Sequence, residues 1–188
     1  MIDSLCDQAV GEDFAVVGLY CDFLAQQEQS TENMLGAMLK QLAGWGGISK
    51  LTREAFKKAK KEFGGRSLQL PDMLNILKKT ISSIPRLFIC IDALDECTPK
   101  HRRELIESLR EILRVSPSAR VFLTGRPHID DEILTCFSQV IRIPLSPTHG
   151  DIMSYLERRL DSDTDLKAMD AELRADIIRV IPEKVSEM

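Results

Sequence analysis

The chain has 188 residues, of which 44% are hydrophobic and 29% charged, and its formal net charge is −4. These values are typical of one globular domain, and the acidic balance argues against a surface for nucleic acid or anionic lipid. No apolar run approaches the roughly 20 residues of a membrane span. The first ten residues contain acids but no Lys or Arg, and we do not expect a signal peptide there.

The cysteines are odd in number and form no CxxC pair. They are Cys6, Cys21, Cys90, Cys97 and Cys136. Two of them, Cys21 and Cys90, lie inside apolar runs of the kind that form buried strands. We therefore predict buried free thiols in a reducing, cytoplasmic compartment. The three histidines lack the spacing of metal ligands.

Hydrophobic periodicity and turn residues divide the chain into alternating strands and helices. In chain order we predict helix 1–11, strand 14–23, helices 31–44, 51–65 and 70–84, strand 86–92, helix 98–116, strand 119–128, helix 130–137, strand 139–145, and helices 148–160 and 171–180. The lysine cluster in 51–65 fits a solvated helix face better than a nucleic-acid surface. Pro182 is expected to bend or stop the last helix. The alternation predicts an α/β fold with parallel strands and helices on both faces of the sheet.

Three acids follow one apolar strand within five residues: Asp92, Asp95 and Glu96. Ligands of open parallel sheets bind at the carboxyl ends of the strands, and strand 86–92 brings Asp92 to such an end. A half-buried carboxylate needs a partner, and hydrated Mg²⁺ is a suitable one. Asp95 and Glu96 would then hold or polarise a water near the metal.

Two other interpretations of these acids are open. The acids could simply be solvated or cap the next helix. A phosphatase-like nucleophile would need a second Asp two residues after Asp92, where the chain has Leu94.

Thr124 and Arg126 stand at the predicted end of the neighbouring strand. A cation at this position can bind a γ-phosphate or stabilise a transferring phosphoryl group. Arg126 could equally pair with Asp92 or Asp95, and the two roles are compatible.

Four sequence blocks occur in a fixed order: YCDF, MLGAMLKQL, LFICIDALDEC and RVFLTGRPH. Together they resemble the NACHT domain, a signal-transduction (STAND) class of P-loop ATPases related to NOD-like receptors and found in fungal ankyrin-repeat proteins. The resemblance implies a three-layer parallel sheet of the P-loop NTPase type over 1–147. It also implies that 148–188 begins the following helical region.

The same resemblance assigns roles to residues. Asp92 would be the Walker B acid, binding Mg²⁺ through water, and Asp95 and Glu96 would be the catalytic acids that assist hydrolysis. Thr124 and Arg126 would contact the nucleotide, with Arg126 as the sensor 1 arginine. ATP or ADP with Mg²⁺ would be the cofactors of the full-length parent protein, whereas we expect this chain by itself to bind none or to bind nucleotide only weakly.

One motif of that family is absent from the sequence. No GxxxxGK[ST] loop, which would cradle the phosphates, occurs in the 188 residues, and GWGGISK has the wrong spacing. We therefore expect a truncated domain that lacks the first, central strand of a 5-1-4-3-2 sheet. The sheet should close the gap or leave 139–145 poorly paired, and the isolated chain should aggregate readily.

These observations predict two functions from different classes. The first is a piece of an ATP-dependent switch that controls oligomerisation, inactive by itself and binding no nucleotide tightly. The second is a non-catalytic protein-interaction or scaffold module. Both imply protein partners or self-association rather than nucleic acid or membrane.

Overall fold

The computed structural model describes residues 5, 7–9, 13–44, 69–162 and 170–186. They fall into two compact units, residues 1–140 and 141–188, which are taken in turn below. The predicted helix 51–65 with its lysine cluster, most of the predicted helix 1–11, and Cys6 lie outside the described residues.

The first unit contains a three-stranded parallel sheet in the order β1-β2-β3. Its strands are β1 (Ala15–Tyr20), β2 (Leu87–Asp92) and β3 (Ala119–Leu123). Tyr20 pairs with Asp92, so β1 and β2 end at the same level. The α/β class and the parallel sheet predicted from the sequence are confirmed, with each strand shorter than predicted.

Helices follow and precede these strands: α1 (Thr31–Gly44), α2 (Leu70–Ile81), α3 (Pro99–Val115) and α4 (Asp130–Cys136). The hydroxyl of Ser30 accepts a hydrogen bond from the Asn33 N–H at 3.2 Å, which caps α1. Prolines occupy the first turns of α2 and α3, where no intrahelical N–H bond is lost. The predicted starts of these three helices therefore rest on local chemistry.

One hydrophobic core joins the sheet to these helices. Alternate strand residues point into it, and Val17 of β1 and Ile89 of β2 are fully buried. Leu35, Leu77 and Leu109 contribute fully buried side chains from α1, α2 and α3. Each such side chain contributes about 1.5–3 kcal/mol of transfer free energy, so the core stabilises the packing of these helices on the sheet.

The outer edge of β1 is covered by a side chain. The Gln41 Nε2 of α1 donates to the Gly18 carbonyl at 2.8 Å, and its Oε1 accepts from the Gly18 N–H at 2.9 Å. The amide of Gln41 thus satisfies the same backbone groups that a neighbouring strand would bind.

The predicted strand 139–145 was wrong. Residues 137–148 have no helix or strand, and Ile141 and Ile143 are 90% and 73% exposed. A strand requires a ladder partner, and β3 pairs only with β2 among the described residues. The alternative stated above, that this segment is poorly paired, agrees with the structure.

The second unit contains α5 (His149–Asp161) and α6 (Ala171–Ser186), which pack against each other. Thr148 caps α5: its hydroxyl accepts from the Asp151 N–H at 3.2 Å, and Asp151 accepts from the Thr148 N–H at 2.9 Å. The predicted end of the last helix at about residue 180 was wrong, since α6 continues through Pro182 to Ser186. Pro182 is buried. None of the helices in the described ranges has the length and apolar character to cross a bilayer.

Candidate functional site

Thr124 joins the carboxyl ends of β2 and β3. Its hydroxyl donates to the Asp92 Oδ1 at 2.5 Å and accepts from the Ala93 N–H at 2.9 Å. Its backbone N–H donates to the Ile91 carbonyl, and its carbonyl accepts from the Leu94 N–H, both at 2.9 Å. Four hydrogen bonds therefore fix Asp92 and the turn that follows it relative to β3.

The chain turns sharply just after Asp92. Ala93 has φ 54° and ψ 45°, the left-handed conformation, which costs a residue with a Cβ about 1–2 kcal/mol. The next three residues, Leu94–Glu96, form a single 3₁₀ turn, and Leu94 is fully buried beneath it. The turn is what places Asp95 and Glu96 on different sides of the edge.

Asp95 contacts the segment that follows β3. Its Oδ1 accepts from the Arg126 N–H at 3.2 Å, and its Oδ2 lies 3.5 Å from the Arg126 Nε. The Asp95 side chain is 7% exposed, whereas that of Arg126 is 75% exposed. Because most of the guanidinium is in solvent, Arg126 can turn from Asp95 to an anionic ligand at small cost.

Gly125 lies where a side chain would crowd its neighbours. A Cβ at this position would lie 2.7 Å from the Ile129 Cδ1 and 3.4 Å from the Asp95 Oδ1. Ile129 is itself buried, so it has little room to yield. The absence of a side chain lets the Arg126 backbone approach the Asp95 carboxylate.

Glu96 lies against β1 rather than β3. Its carboxylate accepts from the Phe23 N–H at 2.9 Å, and its carbonyl accepts from the Gln26 Nε2 at 2.6 Å. These bonds attach the turn after β1 to the turn after β2. Of the five residues predicted from the sequence, the structure therefore joins Asp92 to Thr124 and Asp95 to Arg126, and directs Glu96 to the other neighbour.

Arg102 supports the site and was missed by the sequence analysis. It is buried, and its Nε and Nη2 donate to the two carboxylate oxygens of Glu132 at 2.9 and 2.7 Å. Its Nη1 donates to the Cys97 carbonyl at 3.2 Å, at the end of the acidic turn. Hydrogen bonding within this pair raises the pKa of Arg102 and lowers the pKa of Glu132.

A signal for Arg102 does exist in the sequence. Arg102 shares the apolar stripe of α3 with Leu105, Ile106 and Leu109, which are all buried. A charged residue on an apolar helix face must find a partner, because an unpaired buried charge is costly. The identity of the partner, Glu132, depends on how α4 packs and is not visible in the sequence.

The residues at this edge fit a hydrated Mg²⁺ and a phosphate group in part. Asp92 is half-buried at a strand end, and Thr124 engages only one of its oxygens in the hydrogen bonds found here. No cluster of three or more ligating side chains occurs among the described residues. The chain offers no glycine-rich loop with its lysine to cradle the phosphates.

One known protein family matches the part of the chain that forms this edge. A sequence model of the family described as Nephrocystin 3, N-terminal, matches residues 1–126. The matched span runs from before β1 through Arg126 and includes all five residues discussed above. No curated protein matches the chain. The matching family is not the NACHT family, so the resemblance to NACHT domains stays unconfirmed.

Proposed function

The chain belongs to the nephrocystin 3 N-terminal family, and from the geometry of its carboxyl edge we propose that it is part of a NACHT-type, ATP-dependent signalling switch. The observation that carries the proposal is the Asp92–Thr124 hydrogen bond beside the Asp95–Arg126 contact. An acid that can hold a metal and a cation that can bind a phosphate thus stand at adjacent strand ends, where ligands of parallel sheets bind.

Each residue at the edge has a role in this proposal. Asp92 would hold Mg²⁺ through water, with Thr124 fixing the orientation of its carboxylate. Arg126 would bind the terminal phosphate, and Asp95 would keep its guanidinium within reach or, as a catalytic acid, orient the attacking water. Bound Mg²⁺ would neutralise charge that develops on the phosphate oxygens.

Glu96 is assigned the second catalytic acid by resemblance, and its contacts favour another role. Its carboxylate is engaged by the Phe23 N–H on the β1 side. We propose that Glu96 couples the β1 turn to the acidic turn, so that movement at one is transmitted to the other.

The chain alone is expected to bind nucleotide weakly and to hydrolyse none. The missing GxxxxGK[ST] loop would supply most of the backbone N–H groups and the lysine that bind the phosphates. In the proposed switch, nucleotide state would control oligomerisation of the parent protein.

The test is a titration of this chain with Mg²⁺–ATP, followed by NMR or a fluorescent nucleotide. We expect a dissociation constant of about 1 mM, at least tenfold weaker binding without Mg²⁺, and a similar loss in Asp92→Asn. Glu157→Gln, which removes the same charge from exposed α5, is the matched control and should bind like the wild type. Equal Mg²⁺–ATP binding by Asp92→Asn and wild type would reject the proposal.

A scaffold or interaction module is the second candidate. It is favoured by the apolar segment around Ile141 and Ile143, which is exposed, together with the lack of a phosphate loop. Light scattering coupled to gel filtration distinguishes the candidates. Stable, nucleotide-independent self-association with no Mg²⁺–ATP binding would support the module.

A further inference from the structure

Two cysteines from distant parts of the chain meet beside the carboxyl edge. Cys21 directly follows β1, and Cys97 directly follows the acidic turn Leu94–Glu96. Their sulfur atoms lie 3.0 Å apart although 76 positions separate them in the sequence. Both residues are free cysteines and buried, at 7% and 2% exposure. The role proposed above for the edge uses neither thiol.

The backbone around this pair is already held in place. The Cys21 N–H donates to the Asp92 carbonyl at 3.0 Å, and the Phe23 N–H donates to the Glu96 carboxylate at 2.9 Å. Gln26 adds a third bond between the two turns. A disulfide needs a sulfur–sulfur distance of about 2.05 Å, so the sulfurs must move together by only about 1 Å.

We propose that Cys21 and Cys97 form a reversible redox site, which a hydroperoxide converts to an intramolecular disulfide. This inference does not depend on nucleotide binding. The product would link the turn after β1 covalently to the acidic turn after β2.

The reaction balances with hydrogen peroxide as the oxidant. The Cys97 thiolate attacks one peroxide oxygen, the O–O bond breaks, and a sulfenic acid forms while the departing hydroxide takes up a proton to become water. The Cys21 sulfur then attacks the Cys97 sulfur, the S–S bond forms, the S–O bond breaks, and a second water leaves with the proton of Cys21. The two thiols lose two electrons, and one peroxide becomes two waters. A dithiol reductant reverses the oxidation by thiol–disulfide exchange.

The surroundings favour Cys97 as the attacking thiol. Its hydrogen bond with Cys21 lowers the pKa of Cys97, burial opposes this shift, and the positive charge of Arg102 assists it. The exposed turn Phe23–Ala25 begins two residues after Cys21. Phe23 and Leu24 in that turn are 67% and 92% exposed, so the pair lies close to the surface of the chain.

The experiment treats the whole purified chain with hydrogen peroxide, blocks remaining thiols under denaturing conditions, and maps linked peptides by mass spectrometry. We expect one dominant crosslink, between the peptides of Cys21 and Cys97, with a mass decrease of two hydrogen atoms that dithiothreitol reverses. The oxidised chain should melt roughly 5–15 °C higher, because the crosslink closes a long loop.

Other cysteines of the same chain provide the controls. Cys136→Ser, which removes a half-buried thiol at the end of α4, should keep the crosslink, whereas Cys21→Ser and Cys97→Ser should each abolish it. If either of the latter fails to fold, mapping in the wild type alone decides the matter, with buried Cys90 as internal reference. Crosslinks spread over all cysteines, or Cys97 oxidised beyond sulfenic acid without a crosslink, would overturn the proposal.

Discussion

Thr124 contacts both the carboxylate that ends β2 and the backbone of the residue after it. The hydroxyl of Thr124 can donate one hydrogen bond and accept others through its oxygen. It donates to the Asp92 carboxylate and accepts from the Ala93 N–H. A single side chain therefore sets the direction of Asp92 and stabilises the left-handed Ala93. Serine would retain the hydroxyl, whereas valine would leave the Ala93 N–H unsatisfied.

We predict that Gly125→Ala destabilises the chain by about 1–3 kcal/mol, because the new Cβ would lie 2.7 Å from the Ile129 Cδ1. Urea denaturation measures the change in the free energy of unfolding.

Ile129→Val removes Cδ1, the atom that the new Cβ of Gly125→Ala would contact. The double variant should therefore lose less stability than the sum of the two single variants. Gly44→Ala, whose Cβ would meet nothing within 4 Å, controls for the loss of glycine itself. Strict additivity in the double variant would show that the close approach at Gly125 does not limit stability.

Some of this residue-scale arrangement follows from sequence and some does not. Asp92 and Thr124 meet because parallel strands end at one edge, which the apolar runs preceding them predict. The opposite directions of Asp95 and Glu96 depend on the positive φ of Ala93, an alanine that carries no sequence signal for it. Arg102 was missed because its partner, Glu132, lies on α4, and the sequence does not show how α4 packs against α3.

At the scale of elements, the Arg102–Glu132 pair connects α3, α4 and the acidic turn. Because hydrogen bonding to Arg102 lowers the pKa of Glu132 below its ordinary 4.5 in the folded chain, the pair stabilises the fold above that pH. The stabilisation is lost as pH falls through the folded-state pKa.

We therefore predict that Glu132→Gln is less stable than the wild type near pH 7, and that the difference shrinks as the pH falls below 4.5, the ordinary pKa of glutamate. Urea midpoints measured across this range provide the test. Glu107→Gln, an exposed change on the same helix as Arg102, should parallel the wild type at every pH. A pH-independent difference for Glu132→Gln would show that shape, not charge, accounts for its role.

The elements predicted correctly are those with local signals. Prolines and a capping hydroxyl mark the starts of α1, α2 and α3, and apolar runs mark the three strands. Segment 139–145 has the same composition as a strand, yet β character also requires a partner that sequence periodicity cannot supply. The continuation of α6 through Pro182 also has no local signal in the sequence, because proline ordinarily ends or kinks a helix.

At the scale of the whole molecule, exposed apolar side chains are the feature most relevant to association. Ile141 and Ile143 are 90% and 73% exposed in a segment of β-branched residues. Such segments pair with their counterparts in other chains when they are free.

We predict that the double change Ile141→Lys/Ile143→Lys slows aggregation on heating at least about twofold, since charge on such a segment opposes strand pairing. The melting temperature should stay within about 2 °C of the wild type, because both side chains are in solvent. Static light scattering with circular dichroism measures both quantities. Gln139→Lys, an exposed polar site at the start of the segment, adds one charge without removing an apolar side chain, and an equal slowing of aggregation in this variant would assign the effect to charge rather than to loss of the isoleucines.

Gln41 has a consequence for how the sheet can be extended. Because the Gln41 amide is bonded to both the N–H and the carbonyl of Gly18, it opposes strand pairing at that residue on the outer edge of β1. A strand that paired at Gly18 would first have to displace this amide. A strand added along β3 would instead run beside the residues that lead into Thr124 and Arg126.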